Sequence, residues 1–200
     1  TRRSSDLDKM EVTDTDIYKS DQAFTQGQMI TVTGIDNLNE WWIDPDFFEK
    51  QSDGALKFLP INGDYRVTAN AVLKYFSVMA LKDGKPAKLQ DDGTGAIWAI
   101  GKGIGKPSVA SSEVGWEPGK ALCLAQVAPK KYQLTLKAGE TLKTSGDPEV
   151  ISFKFFHQND WGGEFGNYAN SILVEQLKLA DSGNLEMQDN KAFEEGAVYR

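Results

Sequence analysis

The alternation of hydrophobic and polar residues predicts short β-strands along most of the chain. Tyr65–Ala69, Leu73–Met79 and Tyr132–Leu136 alternate with a period of two. Polar clusters that contain glycine, at residues 52–54 and 62–64, separate such stretches as turns. Short strands that are rich in aromatic and β-branched residues and are separated by turns are typical of an all-β protein.

The stretch at residues 151–166 combines a strand with an unusual loop. Hydrophobic residues occupy every second position of its first half, which predicts a half-buried strand with Phe153 and Phe155 facing inward. The loop that follows holds Trp161 among amide and carboxylate side chains and two glycines. An indole in such a loop can stack on a hydroxyl-rich ligand while its neighbours form hydrogen bonds, which is the chemistry of sugar recognition. The alternative is that the indole folds back over the sheet edge as a lid.

A polar, glycine-rich segment at residues 90–95 predicts the boundary between two modules. Residues 21–90 then form a small β-rich module. Residues 91–200 form an antiparallel β-sandwich, with Trp98, Leu134 and Leu136 facing inward beside the two phenylalanines. Residues 1–20 are polar and charged with few repeating hydrophobic positions, so we expect a linker there, with at most a short strand near Ile17-Tyr18.

Length and charge narrow the classes of function. A chain of 200 residues with 40% hydrophobic and 26% charged residues can form a packed core. The net charge of −7 argues against a nucleic-acid partner, which needs basic side chains to neutralise phosphates. The same sign disfavours docking on anionic lipid. No hydrophobic run approaches the roughly 18 residues of a membrane span.

Residues that bind metals or cofactors are scarce. Cys123 lies in a hydrophobic run and is expected to be a small buried side chain. His157 is the one histidine and has no partners at ligand spacing, so we expect no metal site. The glycine spacing at residues 101–105 resembles a phosphate-binding loop, but Pro107 follows where that motif needs a helix start. We therefore expect no cofactor.

A series of motifs in the second half resembles a known family. The motifs are a hydrophobic strand ending in glycine, a variable loop with Gly-Trp, a Leu-Lys-Ala-Gly turn and a Phe-Lys-Phe strand, at Ile97–Gly101, Gly115-Trp116, Leu134–Gly139 and Phe153–Phe156. They are similar to those of the glycan-binding domains of SusE/SusF-type outer-membrane lipoproteins, from the polysaccharide-utilisation systems of Bacteroidetes. The resemblance covers residues 95–200 and implies an immunoglobulin-like β-sandwich there.

The resemblance also implies a function. It is the non-catalytic binding of polysaccharide or oligosaccharide at the cell surface, within a glycan-uptake system and beside other outer-membrane proteins of that system. A lipid anchor is expected upstream of Thr1. Loop aromatics form the sugar platform in that family, and the matching positions here are Trp116 and Trp161. The candidates for hydrogen bonds to the sugar are Lys102, Asp160 and Glu164.

Two other functions stay open. A protein-interaction or scaffolding module of an outer-membrane complex would use the same tryptophans to contact another subunit. A glycoside hydrolase would need two carboxyl groups about 5–9 Å apart, one of them with a raised pKa. Asp160 and Glu164 lie close enough in sequence to be such a pair, but nothing in the sequence indicates an enclosed cleft. We therefore expect a protein that is not an enzyme.

An internal similarity suggests that one more strand follows Arg200. A turn glycine starts a strand at Gly54 and again at Gly183, and a Tyr-Arg pair comes later in each case. The first pair, at residues 65–66, opens a strand that continues to Ala69. The second pair, at residues 199–200, ends the given sequence. We expect the sandwich to gain its final strand beyond this point.

Overall fold

The computed structural model describes residues 10–145, 150–165 and 174–200. The first nine strands are β1 (Glu11–Asp14), β2 (Ile17–Phe24), β3 (Met29–Ile30), β4 (Trp42–Ile43), β5 (Phe48–Lys50), β6 (Leu56–Phe58), β7 (Gly63–Asn70), β8 (Tyr75–Lys82) and β9 (Lys85–Pro86). The others are β10 (Trp98–Gly105), β11 (Glu113–Gly115), β12 (Leu122–Cys123), β13 (Ala125–Ala128), β14 (Lys131–Gln133), β15 (Leu136–Lys137), β16 (Ser152–Phe156), β17 (Leu177–Leu179), β18 (Leu185–Met187) and β19 (Val198–Tyr199).

Helical structure in these ranges is confined to single turns. They are α1 (Val109–Ser112) and the 3-10 turns Leu38–Glu40 and Pro118–Lys120. The sheets are almost entirely antiparallel and adopt a sandwich-like arrangement, which confirms the predicted all-β class.

The described chain divides into two compact units. One unit contains the residues up to Ala96 together with Ala125–Gln133. The other contains Ile97–Leu124 and the residues from Leu134 onward. The chain therefore returns to the first unit for the β13–β14 hairpin, whereas the sequence predicted a single boundary.

The first unit is built on a six-stranded sheet with the order β1-β2-β7-β8-β4, in which β9 also pairs with β8. The β4–β8 pair is parallel and the other pairs of this sheet are antiparallel. Tyr65, Val67 and Ala69 alternate as buried residues along β7. Phe58 packs against Phe24 and Tyr65 in a cluster of rings in the core.

Residues 11–14 and 17–20 lie in strands, so the linker prediction is wrong for this part of the chain, apart from the short strand expected near residues 17–18. All eight residues of β2 pair with β7. The buried residues of β2 are Ser20 and Phe24, so the strand lacks the hydrophobic alternation by which strands are recognised in a sequence. Long-range pairing holds it in place, and a bidentate ion pair adds to this, because Arg66 donates to both carboxylate oxygens of Asp21 at 2.6 Å. Residues 1–9 of the predicted linker lie outside the described residues.

The second unit is built on a sheet with the order β11-β10-β16-β18-β17, in which β12 also pairs with β10. Strand β10 is central and covered on both faces, since Trp98, Ala99 and Ile100 are fully buried. Cys123 in β12 is buried, as predicted. Strands β15 and β19 form a separate antiparallel pair that contains Tyr199. The proposed strand after the end of the sequence stays a prediction.

Most of the residues predicted to face inward do so. The buried ones are Trp98, Leu136 and Phe153. The prediction is wrong for Leu134 and Phe155, which are half-buried. Phe156 is buried in place of Phe155, because it lies opposite Trp98 in the β10–β16 pairing and successive side chains of a strand point to opposite faces.

Candidate functional site

Trp161 lies in a tight hairpin that continues β16. At the base of the hairpin, the N–H of Phe165 donates to the carbonyl oxygen of Phe155 at 2.8 Å. Further along, the N–H of His157 donates to the carbonyl oxygen of Gly163 at 2.7 Å. Trp161 therefore belongs to a short, closed segment whose two ends are hydrogen-bonded to each other.

Two consecutive glycines allow this reversal of the chain. Gly162 and Gly163 have φ values of 79° and 66°, in the left-handed region. A residue with a Cβ atom loses about 1–2 kcal/mol in that region. The glycine pair therefore determines the course of the backbone that carries Trp161.

Neighbouring side chains fix the backbone of Trp161. Its N–H donates to Oδ1 of Asp160 at 2.8 Å, and its carbonyl oxygen accepts from Nε2 of Gln158 at 2.6 Å. Both backbone polar groups of Trp161 are thus satisfied inside the loop. A loop held in this way loses little conformational freedom when it binds a ligand.

The indole of Trp161 packs against the indole of Trp116. The ring centroids are 6.3 Å apart and the planes differ by 25°, an offset-stacked arrangement. The buried ring of Phe156 meets Trp161 edge to face, with a centroid distance of 6.1 Å. Trp161 is nevertheless 51% exposed, and Trp116 is half-buried. The pair is therefore anchored on the core and still open to solvent.

Sheet topology explains why these two tryptophans meet. Strands β11 and β16 are both antiparallel to β10, so they run in the same direction and the loops after them lie at the same end of the sheet. Gly101 in β10 is opposite Gly115 of β11 on one side and Phe153 of β16 on the other. A Cβ atom on Gly101 would lie 2.3 Å from the Cα of Phe153, so only glycine allows β10 and β16 to approach this closely. Trp116 follows β11 directly, and Trp161 lies in the loop after β16.

Asp160 and Glu164 share the hairpin with Trp161, and both side chains are exposed. Glu164 lies opposite Phe156 in an antiparallel bridge. Within the described parts of the chain, neither carboxylate takes part in an ion pair. Two of the three predicted polar residues therefore stand beside the tryptophan pair.

Lys102 belongs to a different charged cluster. It lies opposite Ser152 in the β10–β16 pairing, four residues along β10 from Trp98. At the rise of a β-strand, Lys102 is therefore about 13 Å from Trp98, which marks the end of the sheet where the Trp161 loop begins. The described electrostatic contact of Lys102 is with Glu113 and not with either indole.

Glu113 is the centre of that cluster. Its Oε1 accepts from the N–H of Gly103 at 2.8 Å and from Nζ of Lys143 at 3.0 Å. Partial burial on its own would raise the pKa of the Glu113 carboxyl, but these two hydrogen bonds and the charges of Lys143 and Lys102 outweigh it and lower the pKa. The ionised carboxylate therefore ties β11 to β10 near the start of the Trp116 loop.

Three residues of the site were not singled out from the sequence. Gln158 fixes the loop, and Phe156 connects Trp161 to the core. Asn159 has an enclosed Oδ1 that finds no hydrogen-bond partner among the described residues. Phe156 follows Phe155 directly and so breaks the alternation of its strand, which is the one signal in the sequence. The positions of the two amides depend on the fold of the hairpin.

The remaining tryptophans are less accessible. Trp98 is fully buried, as predicted, and Trp41 is buried against Phe76 at 5.0 Å. Trp42 is half-buried and meets Tyr75 edge to face at 5.4 Å. One member of the Trp41-Trp42 pair thus packs inside and the other stays partly open.

The geometry of the tryptophan pair limits how a ligand could be bound. A ring held between two indoles needs two carbon contacts of about 3.5–4.0 Å, so the indoles would have to be about 7 Å apart or more. The indoles of Trp116 and Trp161 are too close for that. A flat ligand can instead stack on the exposed surface of the pair while the loop oxygens accept its hydrogen bonds.

The described residues contain no group of three or more histidine, cysteine, aspartate or glutamate side chains placed to hold a metal ion. In the same part of the chain, no helix is long and apolar enough to cross a membrane.

The fold and the site define an all-β protein of two units, one of which presents an exposed tryptophan pair. The chain belongs to the family described as Domain of unknown function (DUF5121), which matches residues 92–200. Residues 5–89 match a second family, Domain of unknown function (DUF5125), so the two types of domain occur in tandem. No curated protein and no solved structure matches the chain.

Proposed function

We propose that this protein binds polysaccharide or oligosaccharide without cleaving it, through the Trp116–Trp161 pair. The observation that carries the proposal is the exposed indole of Trp161, held on a braced hairpin and stacked on a second indole. The proposed setting is the outer-membrane surface of a glycan-uptake system, with a lipid anchor upstream. The resemblance to SusE/SusF-type lipoproteins supports this setting.

The chemistry of the pair suits a sugar. The face of an indole carries partial negative charge, and the C–H groups on one face of a pyranose carry partial positive charge. Stacking of the two is worth roughly 0.5–1.5 kcal/mol beyond the buried area. Hydroxyl groups at the edge of the same sugar can donate to Asp160 and Glu164, which are exposed beside the indole.

Such a site binds weakly and still suffices for a polymer. Two stacked rings and a few solvent-exposed hydrogen bonds correspond to a Kd of about 10⁻³–10⁻⁵ M. A long repeating glycan meets several copies of the site on one surface, and effective concentration raises the overall affinity. We therefore expect retention of polymers and much weaker binding of short oligosaccharides.

The exposure of Trp161 also bears on the lid interpretation. A lid covers the sheet edge with its ring and loses most of its own accessible surface. Trp161 does contact the buried Phe156, but half of its surface stays open. We infer that this contact positions the indole and leaves it available to a ligand.

A scaffolding role is the second candidate, and the same exposed indole favours it, because tryptophan is enriched among the residues that dominate protein interfaces. The two candidates differ in what the indole contacts. A scaffold would lose its protein partner when Trp161 is removed and would show no response to glycans. A glycan-binding protein would respond to glycans and would lose that response when Trp161 is removed.

The test is native electrophoresis in gels that contain single polysaccharides, with the wild type, Trp161→Ala and Val72→Ala compared. Val72 is 73% exposed and lies in the other unit, so its truncation controls for the loss of an exposed hydrophobic side chain. We expect at least one polysaccharide to retard the wild type and Val72→Ala but not Trp161→Ala. The proposal fails if no polysaccharide of a broad panel retards the wild type, or if Trp161→Ala is retarded equally. Reducing ends measured after incubation should not increase, and an increase would indicate a hydrolase.

A further inference from the structure

The two charged side chains of the Trp161 hairpin, residues 156–165, are both carboxylates. Asp160 uses one oxygen to accept the N–H of Trp161 and has further acceptor capacity. Glu164 is exposed and forms no ion pair among the described residues. Oδ1 of Asn159 is enclosed and has no partner in the same part of the chain. Two exposed carboxylates thus share the hairpin with Trp161, whereas the enclosed amide oxygen of Asn159 is not accessible to a ligand.

Positive charge is scarce in the same place. The sequence contains no lysine or arginine from residue 155 to residue 177. Lys154 comes just before this stretch, and its Cε would lie 3.6 Å from a Cβ atom on Gly183, so its side chain extends over the turn between β17 and β18. On the side of Trp116, Lys120 is paired with Glu117 at 2.9 Å.

The other polar side chains near the indole, Gln158 and His157, are held by contacts within the hairpin. Nε2 of Gln158 donates to the carbonyl oxygen of Trp161. The ring of His157 packs edge to face on Phe165, with a centroid distance of 4.6 Å. A ligand that approaches Trp161 therefore meets the two exposed carboxylates, with no lysine or arginine among the described side chains of the hairpin.

We propose that the Trp116–Trp161 site selects uncharged glycans and rejects those that carry carboxylate or sulfate groups. This inference rests on the proposed glycan binding. Hydroxyl groups of a neutral sugar donate to ionised carboxylates in charge-assisted hydrogen bonds, which are the stronger kind. Uronate and sulfate groups offer only acceptors to the same oxygens. They also place negative charge against Asp160 and Glu164, and such like-charge contacts are unfavourable.

The test compares one polymer in two charge states. A neutral polysaccharide that the wild type binds is oxidised at a fraction of its primary hydroxyl groups to carboxylates, so that backbone and linkage stay the same. Binding of the native and the oxidised polymer is measured by affinity electrophoresis or calorimetry at low salt. We expect the oxidised polymer to bind at least about tenfold more weakly. Raising the ionic strength to about 0.5 M should narrow this difference, because salt screens exposed charges.

The variant Asp160→Asn/Glu164→Gln removes the two charges and keeps side chains of the same size. Asparagine can still accept the N–H of Trp161, so the hairpin should be retained. The matched control is Glu194→Gln/Glu195→Gln, which removes two exposed charges of the same unit. The side chain of Glu195 lies against the turn at Gly139. This turn adjoins the Gly105 end of β10, because the N–H of Gly105 donates to the carbonyl oxygen of Thr141, whereas the Trp161 loop lies at the Trp98 end. We expect the first variant to bind both polymers nearly equally and the control to discriminate as the wild type does.

The outcomes separate the two proposals. Equal or tighter binding of the oxidised polymer by the wild type would overturn the selectivity and leave glycan binding intact. Unchanged discrimination in Asp160→Asn/Glu164→Gln would show that these carboxylates are not its cause, and would overturn the inference as well. If the wild type binds no polysaccharide of either kind, the proposed function itself fails.

Discussion

Trp98 lies directly opposite Phe156 in the pairing of β10 with β16, and the ring of Phe156 meets the exposed Trp161 edge to face. Strand pairing and one ring contact therefore connect the fully buried centre of the sheet to the surface. The buried Trp98 and Phe156 stabilise the unit, whereas Trp161 is held in place at its surface. The two positions should therefore differ in how much they contribute to the free energy of unfolding.

Truncation of the inner and outer rings should have different costs. Phe156→Ala leaves a cavity in the core and should lower the free energy of unfolding by about 3–5 kcal/mol. Trp161→Ala loses two ring contacts at the surface and should cost about 1 kcal/mol. Urea unfolding of both variants, followed by circular dichroism, measures the difference. If Trp161→Ala destabilises the protein as much as Phe156→Ala, the indole belongs to the core and the lid interpretation is correct.

The course of the hairpin should matter for binding more than for stability. Gly162→Ala places a Cβ atom at a positive φ, with Nε2 of Gln158 at 3.7 Å as the nearest atom. Gly196→Ala is the matched control, because Gly196 has a φ of 80° and open space around its Cβ position. Each substitution should lower the free energy of unfolding by about 1–2 kcal/mol.

Only Gly162→Ala should also weaken retention on a polysaccharide gel, since it alone shifts the backbone that carries Trp161. Equal retention of the two variants would mean that the position of the hairpin does not control binding.

The ion pair between Asp21 and Arg66 should make a small contribution that depends on pH. The hydrogen bond from Arg66 is the main cause that lowers the pKa of Asp21 in the folded protein, below its ordinary value of 3.8. A lowered pKa means that the stabilisation is present above the ordinary value and is lost as the pH falls through the folded-state pKa. Because the side chain of Asp21 is 43% exposed, the contribution should stay below about 1 kcal/mol.

Asp21→Asn should therefore lower the melting temperature slightly at neutral pH, and this deficit should shrink as the pH falls below 3.8. Glu49→Gln is the comparison, since Glu49 meets Lys57 through a single contact at 3.3 Å. Its cost should be smaller than that of Asp21→Asn. An Asp21→Asn deficit that persists in strong acid would contradict the assigned role of the carboxylate.

Strands that carry their own hydrophobic alternation were predictable from the sequence. Strand β7 is one, because Tyr65, Val67 and Ala69 alternate and are buried. Strand β2 is the opposite case, since long-range pairing with β7 holds a largely polar segment in place. Such pairing is a property of the whole sheet, and no local pattern indicates it.

The candidate site was predictable in its parts but not in its arrangement. Trp116 and Trp161 each stood out, one by a family motif and one by its polar surroundings. Their stacking depends on the register of three strands, which residue spacing does not determine. The surroundings of Lys102 were not predictable either. Its position in the glycine-rich stretch at residues 101–105 does not show that its charge acts on Glu113.

The fluorescence of the tryptophans should report the ligand directly. Trp161 is 51% exposed, whereas Trp98 and Trp41 are 0% and 9% exposed and Trp42 and Trp116 are half-buried. Acrylamide should therefore quench Trp161 preferentially. A saturating neutral polysaccharide should protect it, because the sugar covers the ring.

Trp161→Phe keeps an aromatic face of smaller area, so it should bind with about threefold to tenfold lower affinity. It should also lose most of the component that acrylamide quenches in the wild type. The control is Trp42→Phe, which removes a half-buried indole of the other unit and should leave the protected component unchanged. If the polysaccharide protects the fluorescence of Trp161→Phe as strongly as that of the wild type, the bound sugar covers another tryptophan. The half-buried indoles are then the candidates, either Trp116 alone or Trp42 with its ring partner Tyr75.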